Sequence, residues 1–489
     1  MPSILALDQG TTGCHALVLH QDGRVLGSGY RPLTQFFPKP GWVEHDAEEI
    51  FRLTVEAGRE AIQQAGEVPT GIGITNQRET VVMWDRQSLV PVARAIVWQD
   101  RRTADRCAEL KRDGIEQMLR DRTGLLADPY FSATKIEWLL EVAGHKSQAV
   151  AGALATGTID SWLVAKLTGG RVHVTDHTNA SRTLLYDLAA REWAGELLER
   201  FGVPRGVLPE IVASSGVIGE ADPAHFGATM PIAGIAGDQQ ASLFGLGCVE
   251  PGEGKNTYGT GAFLLVHQGE VRPEPEAGVL ATAACGPRGQ PAYALEGSIL
   301  VAGAAIQWLR DQLGIIATAE ESETLARSVP DTGGVYFVPA FAGLGTPHWA
   351  PDVRGTITGL TRGSTRAHIV RAALEAMGFG VAELYDALHG TSALKVDGGA
   401  AANDWLMQFQ ADILGVPVRR PDVIETTALG AAGLAGITLG LWRDAGEFVA
   451  SRRFTTFSPS MASGDRRRLL AGWHRAVAAA LAGVDPLAG

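Results

Sequence analysis

Cysteine is scarce in this sequence. Cys14, Cys107, Cys248 and Cys285 are the four cysteines among 489 residues, and they form no Cys-x-x-Cys pair and no set with the spacing of metal ligands. This excludes a disulfide scaffold and a cysteine-based zinc site, and it predicts reduced thiols in a cytoplasmic protein.

Basic residues are fewer than acidic residues in this sequence. Lysine and arginine together number 42 against 54 aspartates and glutamates, which gives a formal net charge of −12. This balance argues against nucleic acid or an anionic membrane surface as the main partner. An anionic ligand would therefore need a local site.

Long apolar runs are missing as well. The sequence starts without a basic region followed by an apolar one, so we expect no export signal. The uncharged stretch 426–442 is interrupted by Gly430, Gly433, Gly436 and Gly440. This composition favours a closely packed buried helix over a membrane span.

Several widespread catalytic motifs are absent. The sequence contains no Walker A loop, protein-kinase loop, nucleophile elbow or His-Glu-x-x-His motif. Apolar residues make up 45% and charged residues 20% of the chain, which is typical of a globular protein. Its length predicts about two to four domains.

A glycine turn between two apolar strands lies near the start of the chain. Gly10 and Gly13 allow the backbone to bend sharply and approach a ligand closely. The turn amides and the Thr11 and Thr12 hydroxyls can surround an anion. Asp8, at the end of the first strand, supplies a carboxylate for a phosphate-bound magnesium ion. Taken alone, such a turn more often belongs to a plain hairpin.

Similar turns return in the second half. Gly259-Thr260-Gly261 leads into another apolar strand, and Asp397-Gly398-Gly399 follows a short one. Strands followed by helices in both halves predict an α/β protein whose two similar domains close on one nucleotide. We expect these domains to span 1–246 and 247–445, followed by a helical tail at 446–489.

Polar residues near predicted strand ends are candidates for chemistry. Asp238 lies at a helix entrance, where it could accept a proton from a substrate hydroxyl or merely cap the helix. Arg78 and Glu79 follow a buried strand and could bind polyol hydroxyls or form a surface ion pair. Tyr130 and Trp98 could supply a phenol donor and an apolar wall, or belong to the core.

Together these motifs resemble those of the FGGY carbohydrate kinases, and within that family those that act on glycerol. The resemblance runs from Ile4 to about Trp442. It rests on the stretches Asp8-Gln-Gly-Thr-Thr12, Ile74-Thr-Asn-Gln-Arg-Glu-Thr80, Ile96-Val-Trp-Gln-Asp-Arg-Arg102, Asp128-Pro-Tyr-Phe131, Gly237-Asp-Gln-Gln240, Asn256-Thr-Tyr-Gly-Thr-Gly261, Gly359-Leu-Thr-Arg-Gly363 and Val396-Asp-Gly-Gly399. The family's fold implies two ribonuclease-H-like (actin-like ATPase) domains with an ATP cleft between them.

The resemblance also implies a reaction, in which ATP with Mg²⁺ phosphorylates a terminal hydroxyl of glycerol. It further implies that the protein is a cytoplasmic homo-oligomer, either a dimer or a tetramer. Glycerol would be hydrogen-bonded by Arg78, Glu79, Tyr130, Asp238 and Gln239, with Trp98 and Phe263 against its carbons and Asp238 as the catalytic base. The nucleotide would contact Thr11, Thr12, Gly13, His15, Thr260, Gly303, Gln307, Gly399 and Asn403. Asp8 would face the metal ion.

Two other functions remain open. The chain could be a kinase for a longer polyol or a ketose such as xylulose, or an actin-like ATP-binding assembly protein with no small acceptor. We favour glycerol because Arg78, Glu79, Tyr130 and Gln239 would crowd and saturate a small triol.

The sequence departs from the family pattern in two places. Where the family usually has a Ser-Ser-Arg run after the double threonine, this chain has Gly13-Cys14-His15. At 226–231 it lacks the arginine with which the enterobacterial-type enzymes bind fructose 1,6-bisphosphate, so we expect no inhibition by that sugar. His225-Phe226 is similar to the phosphorylatable histidine loop of some Gram-positive relatives, but its spacing to Pro231 is one residue short.

The first departure yields a prediction. His15→Arg should lower the KM for ATP, because an arginine near the phosphates supplies a positive charge that a neutral histidine lacks. Initial rates at varied Mg-ATP measure this, and an unchanged or raised KM for ATP would contradict it.

Overall fold

The computed structural model describes residues 2–274, 276 and 278–483. The strands of the first half are β1 Ser3–Gln9, β2 Gly13–His20, β3 Val25–Pro32, β4 Glu44–His45, β5 Gly71–Asn76, β6 Val81–Asp85, β7 Ala95–Ile96, β8 Leu154–Thr158, β9 Val174–Asp176, β10 Tyr186–Asp187, β11 Glu192–Trp193, β12 Glu210–Val212, β13 Ser215–Ala221 and β14 Met230–Gly237. Its helices are α1 Ala47–Ala65, α2 Ala104–Arg112, α3 Glu116–Thr123, α4 Ser132–Glu141, α5 Lys146–Val150, α6 Ile159–Leu167, α7 His177–Ala180, α8 Gly195–Arg200, α9 Pro223–Phe226 and α10 Asp238–Gly245.

The second half continues the same alternation of strands and helices. Its strands are β15 Gly254–Tyr258, β16 Ala262–Gly269, β17 Leu280–Cys285, β18 Pro291–Ile299, β19 Tyr336–Val338, β20 Thr356–Thr358, β21 Leu394–Asp397, β22 Val418–Pro421 and β23 Phe454–Phe457. Its helices are α11 Gly303–Asp311, α12 Glu321–Arg327, α13 Arg366–Ala387, α14 Asp404–Leu414, α15 Thr426–Thr438, α16 Ala445–Val449 and α17 Ser463–Ala482.

The two halves build sheets with the same strand plan. The first sheet has the order β3-β2-β1-β5-β14-β13, and the second has β17-β18-β16-β15-β21-β22-β23. In each, an antiparallel meander is followed by two parallel strands and one antiparallel edge strand. The second sheet adds β17 at its other edge. This duplication confirms the predicted α/β fold with two ribonuclease-H-like domains.

Strand β1 shows why its sequence is a continuous apolar run. Leu5 and Leu7 belong to the core that contains residues of α1, whereas Ile4 and Ala6 belong to the core that contains residues of α15. A central strand covered by helices on both faces has no polar side to present, so its residues do not alternate. Helix α1 starts after its N-cap residue Asp46, whose side chain accepts from the Glu48 and Glu49 amides.

Helix α15 crosses from the second half of the sequence to the first sheet. Its backbone packs so closely that a Cβ built on Gly73 of β5 would overlap the Ala431 carbonyl, and one built on Gly430 would overlap the Ala241 carbonyl of α10. Gly430, Gly433 and Gly436 therefore serve close helix packing, as predicted, whereas Gly440 follows the helix and has no atom within 4 Å of its Cβ position. Within the described residues, no helix has the length and apolarity needed to cross a bilayer.

The last helix, α17, packs against α13, α14 and the β19–β20 hairpin. Trp473 stacks on Phe379 of α13, with ring centroids 5.4 Å apart. The expected domain bounds themselves stay a prediction.

The glycine packing generates a stability prediction. Gly430→Ala should lower the free energy of unfolding by about 1–3 kcal/mol, because an overpacked contact forces α15 away from α10. Gly464→Ala is the matched control, since no atom lies within 4 Å of its Cβ position. Urea denaturation followed by circular dichroism compares them, and equal stability of the two variants would refute this account of the packing.

Candidate active site

The candidate site lies where three parallel strands of the first sheet end. Asp8 of β1 is in register with Thr75 of β5, and Thr75 with Ala236 of β14. The residues that follow these strands therefore meet at one edge of the sheet, where α/β proteins bind ligands. Arg78 and Asp238 project from this edge.

Arg78 is the centre of a buried polar cluster. Its Nε lies 3.3 Å from Oδ1 of Asp238 and 3.5 Å from Oε1 of Glu79. Its Nη2 donates to the Tyr130 hydroxyl at 3.2 Å. Arg78 and Glu79 are buried rather than a surface ion pair, whereas the Asp238 side chain is 28% exposed. The cluster is thus shielded from solvent at Arg78 and Glu79 and accessible to solvent at Asp238.

Asp238 does not cap its helix. Gly237 occupies the N-cap position, and Asp238 is the first helical residue, with Oδ1 accepting from the Gln239 amide at 2.7 Å. The Gln239 side chain is held by Lys255 of β15, whose Nζ lies 2.5 Å from Oε1. Lys255 was not among the predicted site residues.

Two further residues that sequence reasoning missed complete the cluster. Glu296, on β18 of the second sheet, accepts from Arg78 Nη1 at 2.6 Å and Nη2 at 3.0 Å. Arg182 donates to Glu296 at 2.9 Å and to Glu79 at 2.7 Å. Buried charges of both signs are paired here, as the low interior dielectric requires.

Arg182 belongs to the polar run 176–182, which supports the strand ends. The Asn179 and Asn76 side-chain amides exchange hydrogen bonds at 3.0 and 3.2 Å. The Thr178 hydroxyl accepts from the Gly237 amide at 2.8 Å, and it donates to Asp176 at 2.7 Å. A dense run of polar residues in an otherwise apolar region was the available sequence signal for this loop.

Aromatic rings form one wall of the cluster. Trp98 lies edge-on to Tyr130 and Phe263, with ring centroids 5.5 and 6.4 Å apart. Phe263 comes from β16 of the second sheet. The Trp98 indole donates to the Thr11 hydroxyl at 2.8 Å, which ties the wall to the first glycine turn.

The two acids at the cleft differ in protonation behaviour. Burial, with a contribution from Glu79, raises the pKa of Asp238 to about 6, against the opposing effects of Arg78 and Lys255. Burial also acts to raise the pKa of Glu296, but Arg182 and Arg78 outweigh it and lower that pKa to about 2. Glu296 therefore stays ionised, while Asp238 can exchange a proton near neutral pH.

The glycine turns of the two halves are each closed by one backbone hydrogen bond, between residues three apart in the first turn and two apart in the second. The Gly10 amide donates to the Gly13 carbonyl, and the Gly259 amide to the Gly261 carbonyl, both at 2.9 Å. Thr12 and Thr260 are exposed at these turns. The turn at Thr260 is also bonded to the start of α11, because the Gly303 amide donates to the Gly259 carbonyl at 3.0 Å.

The remaining predicted nucleotide residues lie around the second turn or beside the first. A Cβ built on Gly398 would overlap the Tyr258 backbone, which seats the Gly399 turn against the end of β15. Asn403 caps α14 by accepting from the Leu406 amide at 2.9 Å. Gln307 is exposed on α11.

Asp8 and His15 face each other across β1 and β2. Burial raises the pKa of Asp8 to about 6, although the Thr427 hydroxyl, which donates to it at 2.6 Å, opposes this rise. Burial lowers the pKa of His15, against a smaller opposing effect of Glu425, so this histidine is neutral at pH 7.

Asp8 suits a magnesium ion that is held mainly by other ligands. The described residues contain no group of three histidines, cysteines or acids that could hold a metal ion by themselves. Magnesium is commonly bound through one or two carboxylates, with water and phosphate oxygens completing its octahedron. A single strand-end carboxylate beside a glycine turn fits that mode.

The fold and the cluster define a class of protein. Two ribonuclease-H-like domains, each with a glycine turn, and a buried polar cluster with a protonatable acid are typical of a phosphotransferase that acts on small molecules. Comparison with known families agrees. Residues 3–245 match the N-terminal domain and residues 254–439 the C-terminal domain of the FGGY family of carbohydrate kinases. The chain belongs to this family.

Individual relatives make the similarity more specific. The chain is 54% identical to a glycerol kinase of Carboxydothermus hydrogenoformans, covering 97% of each chain. It is 51% identical to glycerol kinase 2 of Thermotoga maritima, covering 98% of this chain and 99% of that one. Among solved structures, the Plasmodium falciparum glycerol kinase with ADP superposes with a TM-score of 0.91 at 35% identity, covering 98% of both chains.

Proposed function

We propose that this protein transfers the γ-phosphoryl group of ATP to a terminal hydroxyl of glycerol, giving sn-glycerol 3-phosphate and ADP, the first step of glycerol catabolism. The observation that carries the proposal is the polar cluster around Arg78, with Asp238 open to the cleft beside an aromatic wall. The relatives of about 50% identity that are named glycerol kinase support the same acceptor.

In this proposal the polyol lies over Arg78. Arg78 and Tyr130 donate to its hydroxyl oxygens, Glu79 accepts from a hydroxyl, and the Gln239 amide donates to or accepts from another. The Trp98 and Phe263 rings exclude water from its carbon edge. Asp238 accepts the proton of the attacking hydroxyl. Because phosphoryl transfer has a loose transition state, the orientation of that hydroxyl matters more than the removal of its proton.

The nucleotide is proposed to lie between the two glycine turns. Thr11, Thr12, Gly13 and His15 contact it from the domain spanning 1–246, and Thr260, Gly303, Gln307, Gly399 and Asn403 from the domain spanning 247–445. Asp8 would hold Mg²⁺, which would neutralise charge on the transferring phosphates when bound. The tail is proposed to span 446–489 and to belong to the second domain, on which its helix α17 packs; residues 484–489 lie outside the described part of the chain.

We also propose a cytoplasmic homo-oligomer. Cys14, Cys107, Cys248 and Cys285 are free and buried, and burial raises the pKa of each thiol, which suits a reducing compartment. The number of subunits, two or four, stays a prediction.

A panel of acceptors tests the proposed substrate. Purified protein with Mg-ATP should show its highest kcat/KM with glycerol, and release of ADP should depend on the acceptor. A higher kcat/KM for xylulose or another ketose would assign the chain to a different carbohydrate kinase. Equal ATP hydrolysis with and without any polyol would indicate an assembly ATPase instead.

The protonation of Asp238 predicts a pH dependence. A base with a pKa of about 6 is active only when ionised, so kcat/KM for glycerol should fall as pH decreases through about 6. Asp238→Asn should lower kcat by at least about 10²-fold while ATP affinity, measured by calorimetry, stays nearly unchanged. Wild-type turnover in this variant would remove Asp238 from the role of base.

A further inference from the structure

We infer that Glu296 and Arg182 are positioning residues that hold Arg78 and Glu79 in their polyol-binding geometry before substrate enters. This inference deepens the proposed function and rests on it. It assigns part of the acceptor affinity to a carboxylate of the second sheet that lies beneath the residues contacting the polyol.

The hydrogen bonds of Glu296 fix the plane of the Arg78 guanidinium. Oε2 accepts from Nη1 at 2.6 Å and Oε1 accepts from Nη2 at 3.0 Å, so the two groups form a paired contact. This leaves the Nε edge of Arg78 towards Asp238. A rotation of the guanidinium would break both bonds and withdraw the donor that the polyol needs.

Arg182 fixes the second polyol-binding residue in the same way. Its Nε donates to Oε1 of Glu79 at 2.7 Å, while its Nη2 donates to Oε1 of Glu296 at 2.9 Å. Oε2 of Glu79 has no hydrogen-bond partner in the part of the chain that the structure describes, so it remains available to a substrate hydroxyl. One guanidinium thus orients Glu79 and anchors it to the second sheet.

The burial of this network indicates that its role is orientation rather than stability. Arg182 and Glu296 are both 0% exposed, and Arg78 and Glu79 are each 2% exposed. Burying two ion pairs costs desolvation free energy that well-packed apolar residues would not incur, so stability alone is a poor reason to keep them. Orientation of groups that must bind hydroxyls is a sufficient one.

Glu296 also influences the pKa of Asp238 through the charge of Arg78. The charged groups that face Asp238 are Arg78, Glu79 and Lys255, and Glu296 compensates much of the Arg78 charge. Without that compensation, the Arg78 cation would stabilise ionised Asp238 more strongly and lower its pKa. A change at residue 296 should therefore shift the pH profile, which a loss of packing alone would not do.

Glu296→Gln tests the inference. The KM for glycerol should rise by about 10- to 10²-fold, since misplacing a binding group by about 1 Å has effects of this size, while the KM for ATP should stay within about twofold of the wild-type value. The acid limb of kcat/KM should move to lower pH by about half a unit or more. Glu296→Asp, which restores the charge, should return the acid limb towards its wild-type position.

Glu375→Gln is the matched control. Glu375 is another buried glutamate of the second half, paired with Arg371 at 2.8 Å on α13. Its replacement changes a buried glutamate whose ion-pair partner is Arg371 rather than Arg78 or Arg182. We expect an unchanged KM for glycerol and an unchanged acid limb in this variant, whatever its thermal stability.

The outcomes separate positioning from stability. A folded Glu296→Gln enzyme with wild-type glycerol KM and acid limb would overturn the inference. If that variant does not fold, Arg182→Lys decides, because lysine keeps the charge but lacks the planar fork that reaches both carboxylates; a wild-type glycerol KM there would overturn it equally. If the wild type prefers another acceptor, the proposed function fails, and the same comparison is made with that acceptor.

Discussion

The paired contact between Arg78 and Glu296 is the constraint on which the rest of the site depends. Arg78 follows strand β5 of the first sheet, and Glu296 lies on strand β18 of the second. Both sheets must therefore be folded and in contact before the polyol cluster can form. The charges are buried, and each is expensive unless its partner is present. The site is therefore a product of the assembled pair of domains and of neither alone.

The fold explains how two such domains meet at one point. Each sheet ends its parallel strands at the cleft, and each places a glycine turn between its first two strands, as Gly10 and Gly259 do. Helix α15 is made by the second half yet packs on the first sheet, and its Thr427 bonds Asp8. Apolar packing of α15 thus joins the second half to the first sheet, and the ion pairs of Arg78 and Arg182 with Glu296 join the two sheets beneath the site.

Sequence reasoning could find what is local. The Asp46 cap, the glycine turns, and Arg78, Glu79 and Asp238 beside strand ends all follow from neighbouring residues. Glu296 and Arg182 could not be found in this way, because their partners lie far away in sequence. An acidic residue in a predicted strand does not indicate which residue it will contact. The packing of α15 on the first sheet was equally hidden, since glycine spacing predicts close contact without naming the partner.

A structure of the complex with glycerol, Mg²⁺ and a non-hydrolysable ATP analogue tests the central claim most directly. The account predicts a glycerol hydroxyl within hydrogen-bond distance of both Arg78 and Asp238, the terminal phosphate between the turns of Gly10 and Gly259, and the Arg78–Glu296 contact unchanged. Glycerol bound away from Arg78, or a nucleotide outside the space between those turns, would contradict it.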